Sequence, residues 1–183
     1  MRLRTAIIFT LFALYLIGCS STTKPLVWKA KDVAISDFKA FEIQQVINTT
    51  GGDVDEEIMS FLTASLRTKF KSENLQLIEP QHKSNQVLTV EGEILVYRGK
   101  MYVSPPPPVR NTLWVSTGPP LKKMSSLCIL RTRLFQKSSS YVVAEIITVT
   151  EVDVGRGLFT PKDPRYVLKE SAVAVAQTVA NMF

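Results

Sequence analysis

Histidine and cysteine, which most often supply nucleophiles, proton shuttles and soft metal ligands, are nearly missing from these 183 residues: one histidine and two cysteines. His82 sits in the polar turn Pro80-Gln81-His82-Lys83, and Cys128 in the apolar run Leu127-Cys128-Ile129-Leu130. A zinc site takes about three or four protein ligands, more than these two supply unless carboxylates join them, and no metal site is expected. A Cys128–His82 nucleophilic pair needs thiol and imidazole within hydrogen-bond reach, yet one residue reads as core and the other as solvated turn. Phosphate-binding glycine loops are lacking too. Gly51-Gly52 reads as a turn, and Gly155-Arg156-Gly157 has no third glycine. Asp53, Asp55, Glu56 and Glu57 lack the alternating aspartate spacing of a calcium loop. These absences point away from an enzyme and from a bound cofactor. Long apolar runs are missing as well: Ala6 to Ile17 gives twelve residues without charge, where a spanning helix takes roughly 17–25.

What stands at that N-terminus is specific. Arg2 and Arg4 precede the apolar stretch, and Leu16-Ile17-Gly18-Cys19 closes it with a small residue before a cysteine. This resembles the lipobox of a bacterial lipoprotein signal. The resemblance implies that residues 1–18 are a signal peptide, cleaved after Gly18. It also implies that Cys19 carries a diacylglycerol thioether and a fatty acyl chain such as palmitate on its new amino group. Ser20, in place of an aspartate, resembles lipoproteins sorted to the outer membrane and facing the periplasm. With Cys19 so used, Cys128 has no intrachain disulfide partner and reads as a small buried hydrophobe.

Removal of residues 1–18 leaves 165 residues, with 20 basic against 16 acidic and a net charge of +4. Export and the lack of a basic run with interleaved aromatics exclude nucleic acid as the expected partner. The membrane, reached through Cys19, and another envelope protein remain.

Residues 19–31 read as the lipidated N-terminus and a short polar tether, with Pro25 discouraging helix. Residues 32–183 read as one domain. Lys31 to Phe38 alternates like a strand, with Val33 and Ile35 on one side. Asp53 offers an N-cap and Glu56 completes a capping box. Val54, Ile58, Phe61, Leu62, Leu66 and Phe70 then follow at helical spacing, which predicts a helix from Asp53 to about Glu73. Leu75 to Ile78 reads as a short strand, Val87 to Val96 as a longer one with Gly92 on its buried face. Residues 101–126 break the pattern with Pro105 to Pro108 and Pro119-Pro120, a loop built on polyproline geometry. Leu127 to Phe135 and Tyr141 to Val152 read as a hairpin. Asp163 with Pro164 starts a final helix, lined by Leu168, Ala172, Val175, Ala176 and Val179. The fold class expected is α/β (α+β): a single mixed sheet of about five strands with two helices on one face, Val33–Phe38 and Leu75–Ile78 lying parallel.

The strand Val33-Ala34-Ile35-Ser36-Asp37-Phe38, the glycine turn, the helix with Leu62 and Leu66, the strand Val90-Glu91-Gly92-Glu93-Ile94 and the terminal Ala/Val helix together resemble a lipoprotein family. Its domain is akin to the TolB amino-terminal domain and the curli secretion lipoprotein. The resemblance implies an envelope lipoprotein of the same α/β type. Within the proline loop, Tyr102, Pro106 and Trp114 are the candidate partner-binding residues, since proline lowers the entropy lost on docking and aromatics supply anchor area. Arg131 and Arg133 project from one strand face, with Arg98 near, as a candidate basic patch. The function expected is a non-enzymatic binding or assembly module for another envelope protein. The alternative is a periplasm-facing enzyme or small-ligand binder with a pocket under the proline loop.

Overall fold

A computed structural model describes residues 21–38, 40–50, 54–78, 86–103, 123–136, 139, 141–155, 163 and 165–183. It contains one six-stranded mixed sheet and two helices, the expected architecture with one strand more. The strands are β1 (Ser21–Lys29), β2 (Ala40–Ile43), β3 (Ile47–Asn48), β4 (Val87–Val103), β5 (Lys123–Gln136) and β6 (Tyr141–Gly155). The helices are α1 (Glu56–Ser72) and α2 (Tyr166–Ala180). Spatial order is β1-β6-β5-β4-β2, with β3 following β2 along the same edge of β4.

Long antiparallel pairings join β4 to β5 and β5 to β6. The hairpin expected at Leu127–Val152 is therefore present, and both its strands run further. β4 also outruns its expected end at Val96. Register shifts between Ile94 and Val96 and between Arg98 and Met101 are β-bulges, which displace the period-two pattern while pairing continues. Met101, Tyr102 and Val103 pair with Ser125, Met124 and Lys123. The loop expected at 101–126 is thus shortened at both ends, and its proline-bearing middle lies outside the described residues.

Three expectations at the N-terminal side are corrected. Ser21–Lys29, expected as a tether, is an outer strand that pairs antiparallel with β6 from Ser21↔Val152 to Lys29↔Ala144. Its residues are exposed along almost the whole length, so no apolar alternation marks it. Pro25 is tolerated because an edge strand has one row of amides without ladder partners. Lys31–Phe38, expected as a strand, holds a 3₁₀ turn at Ile35–Asp37 instead. Ile35 and Phe38 are both buried, as the i, i+3 eclipsing of that turn permits. The parallel pair accordingly moves downstream: β2 runs beside β4, Ala40↔Val87 to Ile43↔Val90. Leu77 makes only an isolated bridge to Phe41.

Helix α1 is close to its expected span, but Asp55 rather than Asp53 is the cap, its Oδ1 accepting from the Ile58 amide at 2.9 Å. Asn74, at φ 59°, ends it. The Leu75 amide donates to Phe70 and the Asn74 amide to Lys71, the double closure that satisfies the last carbonyls. Helix α2 begins at Tyr166, with Asp163 accepting the Arg165 amide at 2.9 Å and its own carbonyl accepting from Tyr166. Leu168, Ala172, Val175, Ala176 and Val179 are buried as expected. The two helices pack on each other and on one side of the sheet, closing a single core with Leu62, Leu66, Phe70, Leu88, Val90, Ile94, Leu130, Leu134 and Ile146.

Gly92 marks the tightest approach in that core. A Cβ placed there would lie 2.9 Å from Val46 Cγ2, with Leu66 behind at 3.7 Å. Val46 is held in place by its own amide, which donates to Thr63 Oγ1 on α1 at 3.0 Å while that hydroxyl donates to the Met59 carbonyl. Gly92→Ala should cost about 1–3 kcal/mol in urea unfolding, the range for overpacking. The double variant with Val46→Ala should lose less than the sum of the two single changes, because the clash is removed.

Candidate functional site

The helices cover one side of the sheet and leave the other as a broad face. On β6, Ala144, Ile146, Thr148, Thr150 and Val152 are buried toward the helices, while Glu145, Ile147, Val149 and Glu151 alternate outward. Leu127, Ile129, Arg131, Arg133 and Phe135 do the same on β5, as do Glu91 and Glu93 on β4. Register then places outward residues in rows. Glu91, Arg133, Glu145 and Trp28 form one row; Glu93, Arg131, Ile147 and Leu26 form the next.

The centre of this face is ionic. Arg131 Nε donates to Glu93 Oε2 at 2.6 Å, and a second nitrogen of Arg131 contacts the same oxygen. Arg133 reaches Glu145 at 3.2 Å, Glu93 at 3.6 Å and Glu91 at 3.8 Å. Arg131 and Arg133 share one strand face as expected, but they do not stand as a basic patch. Three glutamates on the flanking strands fall opposite them and outnumber them by one. Burial pushes the Glu93 carboxyl up, but the Thr49 hydroxyl, the Arg131 hydrogen bond and the charges of Arg131 and Arg133 together hold it below its ordinary value.

Beside the ionic centre lies an apolar margin. Leu26 is 66 % exposed and Trp28 54 %, and both lie on the outer strand β1 next to Ile147 and Glu145. Val149, also exposed, stands between Lys24 and Ile129. Among the described residues no strand pairs with the outer edge of β1, so its free backbone groups border the same apolar margin. Sequence reading passed over Leu26 and Trp28, although Leu26-Val27-Trp28 was an apolar triplet inside an otherwise polar stretch.

The remaining candidates separate. Tyr102 lies in β4 opposite Met124. Cys19, His82, Pro106 and Trp114 lie outside the described residues. Cys128 is buried on the helix side, and desolvation pushes its thiol up to about 11 although a Ser171 hydrogen bond pulls the other way. Thiolate is the nucleophile, so burial and the raised value both work against nucleophilic use of Cys128. Among the described residues no group of three or more His, Cys, Asp or Glu is arranged to hold a metal ion.

A carboxyl held below its ordinary value stabilises the fold fully above that value, and this contribution is lost as pH falls through the lower folded value. For Glu93 the loss should therefore begin as pH drops below 4.5. Glu93→Gln should cost about 1.5–3 kcal/mol at pH 7, the range for hydrogen bonds to charged groups. It should also flatten the acid limb of stability measured by urea unfolding between pH 7 and 3; an unchanged acid limb would show that Glu93 carries none of it.

No protein-family model matches the sequence, and no curated protein matches it significantly. Among solved structures the chain is similar to the PelC dodecamer from Paraburkholderia phytofirmans, with a TM-score of 0.52 at 10 % identity over 88 % of this chain and 97 % of that one. A minor lipoprotein from Acinetobacter baumannii aligns with a TM-score of 0.47 at 10 % identity, over 79 % of this chain and 94 % of that one. A lipoprotein from Neisseria meningitidis aligns with a TM-score of 0.42 at 10 % identity, over 78 % and 98 %. Bacterial lipoproteins are thus among the structures this chain is similar to, and with PelC it shares its fold.

Proposed function

We propose that this chain is a lipid-anchored envelope lipoprotein, fastened through Cys19 to the outer membrane and facing the periplasm. Its domain serves as a non-catalytic docking module for another envelope protein or for a second copy of itself. The address rests on Leu16-Ile17-Gly18-Cys19 and Ser20, and the TolB-like resemblance belongs to the same reading.

The binding role rests on one observation: the face of the sheet away from the helices ends in exposed Leu26 and Trp28 beside the unpaired edge of β1. Large exposed apolar side chains grouped on one patch favour a protein partner, and tryptophan is among the residues that carry most binding energy. The free strand edge offers main-chain hydrogen bonds to an added strand. The ionic centre supplies orientation through its excess carboxylate. That PelC, a chain of this fold, is a dodecamer makes a second copy a reasonable occupant of the patch.

The test is a photo-crosslinking residue in place of Trp28 in the full-length protein in cells. One dominant adduct is expected, identifiable as a second copy or as a single envelope protein. Leu26→Asp should lower its yield at least tenfold while stability stays within about 0.5 kcal/mol, as for an exposed substitution. An adduct yield indifferent to Leu26→Asp, or no adduct from this position, would contradict the reading.

A further inference from the structure

Four chain ends meet at one end of the sheet. Ser21, the first residue of β1, stands opposite Val152. Val103, where β4 stops, stands opposite Lys123, where β5 starts, and Met124 stands opposite Gly155 at the end of β6. Only Ser20 separates Ser21 from Cys19. Each residue of extended chain spans at most ~3.3–3.6 Å, so Cys19 lies within roughly 7 Å of Ser21 by the same limit. β1 is not free to swing: it is paired with β6 to its last residue, and Ser21 Oγ donates to Glu170 on α2 at 3.3 Å.

We infer that the acyl chains on Cys19 hold this end of the sheet directly against the phospholipid surface. The strands then rise away from the membrane, and the β5–β6 turn at Ser139 points into the aqueous compartment. The inference rests on the lipidation proposed above and adds how the domain is carried by it. The apolar margin at Leu26 and Trp28 is thereby lifted off the bilayer, five to seven residues up β1, where a protein can reach it.

The test compares two single-cysteine probes on the full-length, lipidated protein in vesicles of phosphatidylethanolamine and phosphatidylglycerol containing a headgroup-labelled quencher. Thr22→Cys places a fluorophore beside the start of β1, and Ser139→Cys places one at the far turn. The β6 strand between these levels, Tyr141 to Val152, spans roughly 36 Å at ~3.3 Å per residue. Buried Cys128 stays unlabelled. Quenching at Thr22 should exceed that at Ser139 at least fivefold, and Glu151→Cys, the cross-strand neighbour of Thr22, should behave like Thr22. Intact mass reports lipidation separately. A lipidated protein with equal quenching at both ends, or stronger quenching at Ser139, overturns the orientation alone. A chain of unlipidated mass overturns the anchor and the orientation with it.

Discussion

Pairing of Ser21–Lys29 with β6 is the constraint on which the rest depends. Were this stretch a tether, the domain would tumble on a dozen flexible residues, and the membrane would say nothing about its orientation. As a strand it would convert the proposed lipid attachment at Cys19 into a rigid mount. It also adds Leu26 and Trp28 to the open face of the sheet, where they meet solvent. One row of backbone pairing therefore sets both the mount and the candidate docking margin.

The two sides of the sheet solve different problems. On the helix side, burial is paid for by close fit: small Ala172 and Ala176 on α2, the hydroxyl of Thr63 holding Val46, and Gly92 giving Val46 room. On the open side no helix covers the strands. There, Glu91, Glu93 and Glu145 enclose Arg131 and Arg133, so charges that are half-desolvated are also compensated. Removing one member of such a set leaves its partner short of a counter-charge, which costs more than the pair itself contributes. The ionic centre thus gives a face without a second layer a defined surface next to its apolar margin.

Legibility in the sequence followed the strength of local periodicity. Both helices were readable because long amphipathic stripes coincide with capping residues, and errors there were one or two positions, as between Asp53 and Asp55. The β5–β6 hairpin was readable because its strands alternate and a serine-rich turn joins them. β1 was not, since an edge strand exposed on both faces carries no alternation. The end of β4 was hidden by bulges, and Val33 with Ile35 imitated a strand by period-two spacing, whereas the 3₁₀ turn buries Ile35 together with Phe38. At the site, Arg131 and Arg133 were found from alternation alone, but their neutralisation needed the register that sets Glu93 and Glu145 opposite them. Leu26 and Trp28 were missed with β1 itself.

Hydrogen exchange on the β1 amides tests the central claim most directly. In the lipidated or soluble mature chain, alternate amides between Thr22 and Ala30 should exchange at least a hundredfold more slowly than in an unfolded peptide. The Ala30 amide, which donates to the Val143 carbonyl at 2.9 Å, should be among the protected ones. Exchange at unfolded rates throughout this stretch, while β6 remains protected, would contradict a rigid mount and return residues 19–31 to a flexible tether.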